Sequence, residues 1–140
     1  MAEVAHTLPT SNPAHAALAD LEARLSEFRA AAHGPRVVVL LPCYNEEAAI
    51  GGTVAAFKAA LPDADIYVYD NNSTDRTIAM ATAAGAIVRR EPFQGKGNVV
   101  RRMFADIDAD VYVMADGDMT YDPTAAPALV SRLVDGQLDM

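Results

Sequence analysis

From residue 35 onward the chain alternates two apolar patterns. Short β-branched runs, too brief for helices, are followed by stretches whose apolar residues recur every three or four positions. "RVVVLLP" (36–42), "DADIYVYD" (63–70), "AIVRR" (86–90) and "DADVYVMAD" (108–116) predict four strands. "EEAAIGGTVAAFKAAL", "TDRTIAMATAAG", "GNVVRRMFADI" and "PTAAPALVSRLVDG" predict a helix after each. This alternation implies an α/β fold, a mostly parallel sheet with helices on both faces. Right-handed crossovers then gather the C-terminal ends of the strands on one edge. That edge is where such sheets bind ligands.

The segment before residue 35 follows a different rule. Residues 1–14, with two prolines among small polar residues, predict a disordered N-terminus. Residues 15–34 predict a helix in which Leu18, Leu21, Leu25 and Phe28 share one face and Gly34-Pro35 ends the run. That face either packs on its own domain or pairs two copies of the chain.

Each predicted strand runs into a polar, irregular segment. The first meets Pro42-Cys43-Tyr44-Asn45-Glu46-Glu47, the second Asp70-Asn71-Asn72-Ser73-Thr74-Asp75, the third Glu91 to Gly97, and the fourth Asp116-Gly117-Asp118. Asp116 and Asp118, two residues apart in extended chain, point the same way. At about 5 Å apart they repel by roughly 3 kcal/mol at an effective dielectric near 20, but far less in open water. A divalent cation converts that repulsion into attraction, with Gly117 letting the chain bend between the ligands; a solvated Asp-Gly turn fits the same three residues. "EPFQGKGN" flanks Lys96 with glycines just before a helix, as a diphosphate contact or simply a flexible loop would. It is not a Walker loop, and no G-x-G-x-x-G follows the first strand. Asp70 ends an apolar strand where an acceptor could meet a nucleobase, whereas helix capping accounts for Ser73, Thr74 or Asp75. Tyr44 can stack on a base or pack. Cys43 has no histidine near it in sequence and reads as a structural thiol.

Charge narrows the ligand. The 140 residues carry a net charge of -8, which argues against nucleic acid or an anionic membrane as main partner. Against that background residues 85–102 hold Arg89, Arg90, Lys96, Arg101 and Arg102 with the single Glu91. A basic strip in an acidic chain suits a small anionic ligand. One cysteine and a start unlike a secretory signal predict a cytoplasmic protein. Three scattered histidines lack metal-ligand spacing.

The segments "VVVLLPCYNEEAAI", "IYVYDNNSTDRT", "GKGN" and "DVYVMADGD", in this order and spacing, resemble the nucleotide-sugar-binding half of GT-A-fold family 2 glycosyltransferases, the group that includes polyprenyl-phosphate sugar transferases. The resemblance covers about residues 36–135. It implies that residues 35–140 are the donor-binding part of a GT-A domain, incomplete at its C-terminus, with a UDP- or GDP-linked sugar as donor. It implies that Pro42, Tyr44 and Glu46 line the nucleoside pocket, that Asp70 and Asn71 face the base, and that Lys96 lies near the diphosphate. Asp116 and Asp118 would be the D-x-D pair that holds Mg²⁺ or Mn²⁺, Asp116 also lining the donor site. Relatives often have a second Asp where this chain has Asn71. The acceptor, a polyprenyl phosphate or a glycan, and the catalytic base are expected beyond Met140, in a longer protein working at the inner face of a membrane. Two rival readings remain at this point: a non-catalytic nucleotide-binding fragment, and a haloacid-dehalogenase-like phosphatase using "DGDMT" with Asp116 as nucleophile.

Overall fold

A run of apolar residues that alternates faces must be covered on both sides, and the chain from Pro35 onward meets that demand. The computed structural model describes residues 13–136. It resolves two compact units that divide between Gly34 and Pro35. The first contains α1 (Pro13–His33). Pro13 and Ala14, read from sequence as disordered, open this helix, because proline at a first helical position gives up an N–H that would have no partner anyway. The rest of the expected disordered segment lies outside the described residues. Leu18, Leu21, Leu25 and Phe28 are exposed along α1. Gly34, at φ 73, supplies the left-handed residue that ends it.

The second unit runs β1 (Val37–Cys43), α2 (Ile50–Ala60), β2 (Asp65–Asp70), α3 (Thr77–Ala83), β3 (Ile87–Arg90), α4 (Lys96–Asp106), β4 (Val111–Met114), a 3-10 turn (Pro123–Ala125) and α5 (Ala126–Asp135). The four strands are parallel in the order β3-β2-β1-β4. On one face Val39 and Leu41 of β1 and Ile66 and Val68 of β2 pack with Ile50, Val54 and Phe57 of α2, Ala81 of α3 and Ala126 of α5. On the other, Val38, Leu40, Tyr67 and Tyr69 meet Val99, Met103 and Ile107, which recur every four residues along and just beyond α4. Each fully buried aliphatic side chain contributes about 1.5–3 kcal/mol relative to its exposed state. Both faces are thus committed to core, and function is left to the edges.

The strand order locates the useful edge. From β1 the chain steps outward to β2 and β3, then crosses back to place β4 on the opposite side of β1. Loops leaving β1 and β4 therefore diverge and open a crevice at the C-terminal ends of the two strands.

Candidate active site

The crevice is a cleft of about 280 Å³. Pro42, Cys43, Tyr44 and Glu46 line it from the end of β1, Asp116, Gly117 and Asp118 from the end of β4, and Gln94, Gly95, Lys96 and Val99 from the start of α4, with Asn71 below. Seven of the eight residues proposed from sequence thus come together. The eighth, Asp70, is not part of the lining; it is 1% exposed beneath the cleft.

The loop after β1 is held by the loop after β2. Asn45 N–H donates to Ser73 Oγ (2.9 Å), Glu46 N–H to Thr77 Oγ1 (2.8 Å), Glu47 N–H to Asp75 Oδ2 (3.2 Å), and Thr74 N–H to Asn45 Oδ1 (2.9 Å). Ser73 and Thr74 therefore tie two loops together and do not cap α3, as their composition suggested. Only Asp75 turns back on its own chain, accepting from Thr77 N–H (2.9 Å). α2 itself starts at Ile50 and not at Glu46. The amides of Glu46 and Glu47 are taken by distant side chains, and the first turn is left to the carbonyl of Glu46, which accepts from Ala49 and Ile50.

Carboxylates and one lysine converge at the mouth. Lys96, the first residue of α4, pairs through Nζ with Asp116 Oδ1, and that bond above all holds the ammonium above its ordinary range. Asp118 accepts from the hydroxyl and N–H of Thr120, which hold its carboxyl below the usual range. Glu46 is pushed up, chiefly by burial and then by Asp118, Asp116 and Asp75. Three carboxyl groups facing one lysine leave an excess of negative charge that a hard cation would offset. Among the described residues no set of three or more His, Cys, Asp or Glu side chains is arranged to hold a metal ion by itself. A two-carboxylate site completed by ligand oxygens is the arrangement Mg²⁺-type sites usually adopt.

Two sequence readings change in this setting. Gly117 does not have the positive φ that would make glycine necessary for bending. It is required because a Cβ there would stand 2.5 Å from Cys43 Sγ and 3.3 Å from Ile50 Cδ1. The basic strip also divides. Arg89 and Arg102 both reach Asp106 (3.5 and 2.9 Å), and of the five cations only Lys96 lines the cleft. Gln94 and Gly95 belong to the stretch whose pattern suggests a diphosphate contact, whereas Val99 escapes sequence reasoning, since an apolar residue at helical spacing reads as core. Cys43, also in the lining, is inert: burial first, then the carboxylates Glu46, Asp70, Asp116 and Asp118, push its thiol up to about 12.

Comparison with known proteins supplies the decisive observation. The model of the glycosyl transferase family 2 matches residues 38–140. The chain belongs to glycosyl transferase family 2. Protein RfbJ of Shigella flexneri is 54% identical over 108 residues, covering 77% of this chain and 84% of that protein. Glucosyl-3-phosphoglycerate synthase of Mycolicibacterium smegmatis is 36% identical over 121 residues, covering 79% of this chain but 40% of the synthase. A crystal structure of the Mycobacterium tuberculosis glucosyl-3-phosphoglycerate synthase, in complex with Mn²⁺ and UDP-glucose, superposes with a TM-score of 0.66 at 31% identity. It covers 82% of this chain and 44% of that one. The chain thus spans less than half of the synthases it matches, and most of RfbJ. Membership in this family accounts for all four loop motifs together, which the phosphatase reading of "DGDMT" does not. Among the described residues no helix is long and apolar enough to cross a membrane.

Proposed function

We propose that the cleft between β1 and β4 binds the nucleoside diphosphate of a nucleotide-linked sugar, and that the protein to which this chain belongs transfers the sugar to an acceptor. The observation that carries the reading is the meeting of Asp116, Asp118, Lys96 and Glu46 at one strand-end crevice. The crystal complex of the related synthase with Mn²⁺ and UDP-glucose supports UDP over GDP as the nucleotide. Pro42 and Tyr44 border the nucleoside end, with Tyr44 half exposed and free to stack on a base. Asp70 Oδ1 is buried without a hydrogen-bond partner, while Oδ2 accepts from Ser73 N–H (3.2 Å). An orphaned acceptor at the end of a strand supports base recognition by Asp70 once the loops above it part.

Asp116 and Asp118 would hold Mg²⁺ or Mn²⁺, and the all-oxygen, acidic donor set fits either ion. When bound, such an ion offsets negative charge on a departing diphosphate. The chain's own part is to position that diphosphate. Gly95 at the N-cap has no side chain to cover the start of α4, leaving first-turn N–H groups and the positive helix end for phosphate oxygens. Lys96 adds a formal charge at the same point and exchanges Asp116 for phosphate when the donor enters. The acceptor and the base that deprotonates it are not assigned to residues of this chain; a polyprenyl phosphate or glycan acceptor remains the family's suggestion. The apolar stripe of α1 supports pairing of two copies.

The test is thermal. UDP-glucose with Mn²⁺ should raise the melting temperature, and Asp116→Ala with Asp118→Ala should abolish the metal-dependent part. Stabilisation that is equal with and without Mn²⁺ would refute the metal role, and none with any nucleotide would refute donor binding.

A further inference from the structure

Asn71 sits one residue past the end of β2 and is 4% exposed. Its amide is nearly saturated. Nδ2 donates to the carbonyls of Glu91 (2.8 Å) and Phe93 (2.9 Å), and Oδ1 accepts from Gly95 N–H (2.8 Å). Two carbonyls on one side and one N–H on the other fix which end of the amide is which. No donor is left for a ligand, and one lone pair on Oδ1 is all that remains. The three bonds span the 91–95 loop and end at Gly95, whose φ of 125 turns the chain into Lys96. The neighbouring Asn72, itself at φ 65, adds an outer fastening by donating to Pro92 O (2.9 Å) and Gln94 Oε1 (3.1 Å).

We infer that Asn71 is a positioning residue for the donor diphosphate, setting the 91–95 loop so that Lys96 and the start of α4 face Asp116, and that it does not read the base. The inference rests on the donor-site reading of the cleft. It also explains why an amide stands here. A carboxylate could accept from Gly95 N–H but would direct its second oxygen at the carbonyls of Glu91 and Phe93, where nothing could donate. Asp70, next to it, has the opposite character: its Oδ1 is unpartnered while every donor of Asn71 is taken.

Calorimetric titration with UDP and with uridine separates the two roles. The unsubstituted chain should bind both. Asn71→Asp should weaken UDP about ten-fold, toward the affinity of Lys96→Met, while leaving uridine within about two-fold. In a Lys96→Met background Asn71→Asp should cost UDP binding clearly less than it does alone, because the Lys96 contact is already gone and only the first-turn N–H groups are left to misplace. Asn72→Gly, which keeps the left-handed backbone and leaves the core untouched, should shift UDP and not uridine in the same direction by a smaller factor; it carries the test if Asn71→Asp does not fold. Equal loss of uridine and UDP in either variant, or additive losses with Lys96→Met, would overturn the positioning role while leaving the donor site standing. Failure of the unsubstituted chain to bind either ligand would overturn both readings.

Discussion

Placing a methyl group on Gly117 tests the geometry of the D-x-D turn without touching either carboxylate. Gly117 is buried, and its carbonyl accepts from Thr53 Oγ1 (3.0 Å), which anchors the turn to α2. The new Cβ would lie 2.5 Å from Cys43 Sγ, 3.3 Å from Ile50 Cδ1 and 3.7 Å from Glu46 Cγ. The first distance is about 1 Å inside ordinary van der Waals contact, so the turn or the thiol must move. Overpacking of this kind costs about 1–3 kcal/mol. At about 4–5 °C per kcal/mol for a domain of a little over 100 residues, Gly117→Ala should lower Tm by about 4–15 °C. Cys43→Ala removes the colliding sulfur, so the double variant should be more stable than the two single losses predict, with a coupling of at least about 1 kcal/mol. Urea unfolding followed by circular dichroism supplies the four stabilities. A Gly117→Ala chain as stable as the parent, or a strictly additive double variant, would refute the claim that Cys43 dictates glycine at this position.

Asp106 anchors the second network, with its carboxyl held below the usual range by Arg102 first, then by Tyr69 and Arg89. A depressed folded value contributes stability that is present above the unfolded value and lost as pH falls through the folded one. Asp106→Asn should therefore be less stable than the parent near neutrality, with the gap closing below the ordinary carboxylate range; urea midpoints across an acid pH series read it out. Cys43, 3% exposed and with its thiol pushed up to about 12, should resist iodoacetamide at about pH 8 in the folded chain and react once urea unfolds it, as mass spectrometry would record.

The fold was legible because strand and helix periods differ so sharply from Pro35 onward. A parallel sheet also sends every strand end to one edge, so motifs as far apart as Pro42 and Asp118 fall together on pattern alone. What the pattern could not tell was direction within a motif. Asp70 and Asn71 are adjacent in sequence, yet one is buried with an orphaned oxygen and the other is absorbed in the 91–95 loop. Neighbouring side chains at a strand end face opposite ways, and only tertiary packing decides which way meets the cleft. Likewise Gly117 was assigned a backbone role when its neighbour across the cleft, Cys43, is what excludes a side chain. The strip of basic residues was read as one surface, but Asp106, fixed at the end of α4, takes two of its arginines. Long-range partners of this sort leave no periodic trace.

The central claim is that Asp116 and Asp118 hold a divalent cation on a nucleotide diphosphate. Manganese paramagnetic resonance tests it directly, because the signal of free Mn²⁺ falls as the ion is captured. Protein and UDP together should remove more Mn²⁺ from solution than protein alone and UDP alone combined, and Asp116→Asn with Asp118→Asn should reduce the loss to that of UDP alone. Undiminished capture by the doubly substituted chain, or no capture beyond that of free UDP in the parent, would contradict the account.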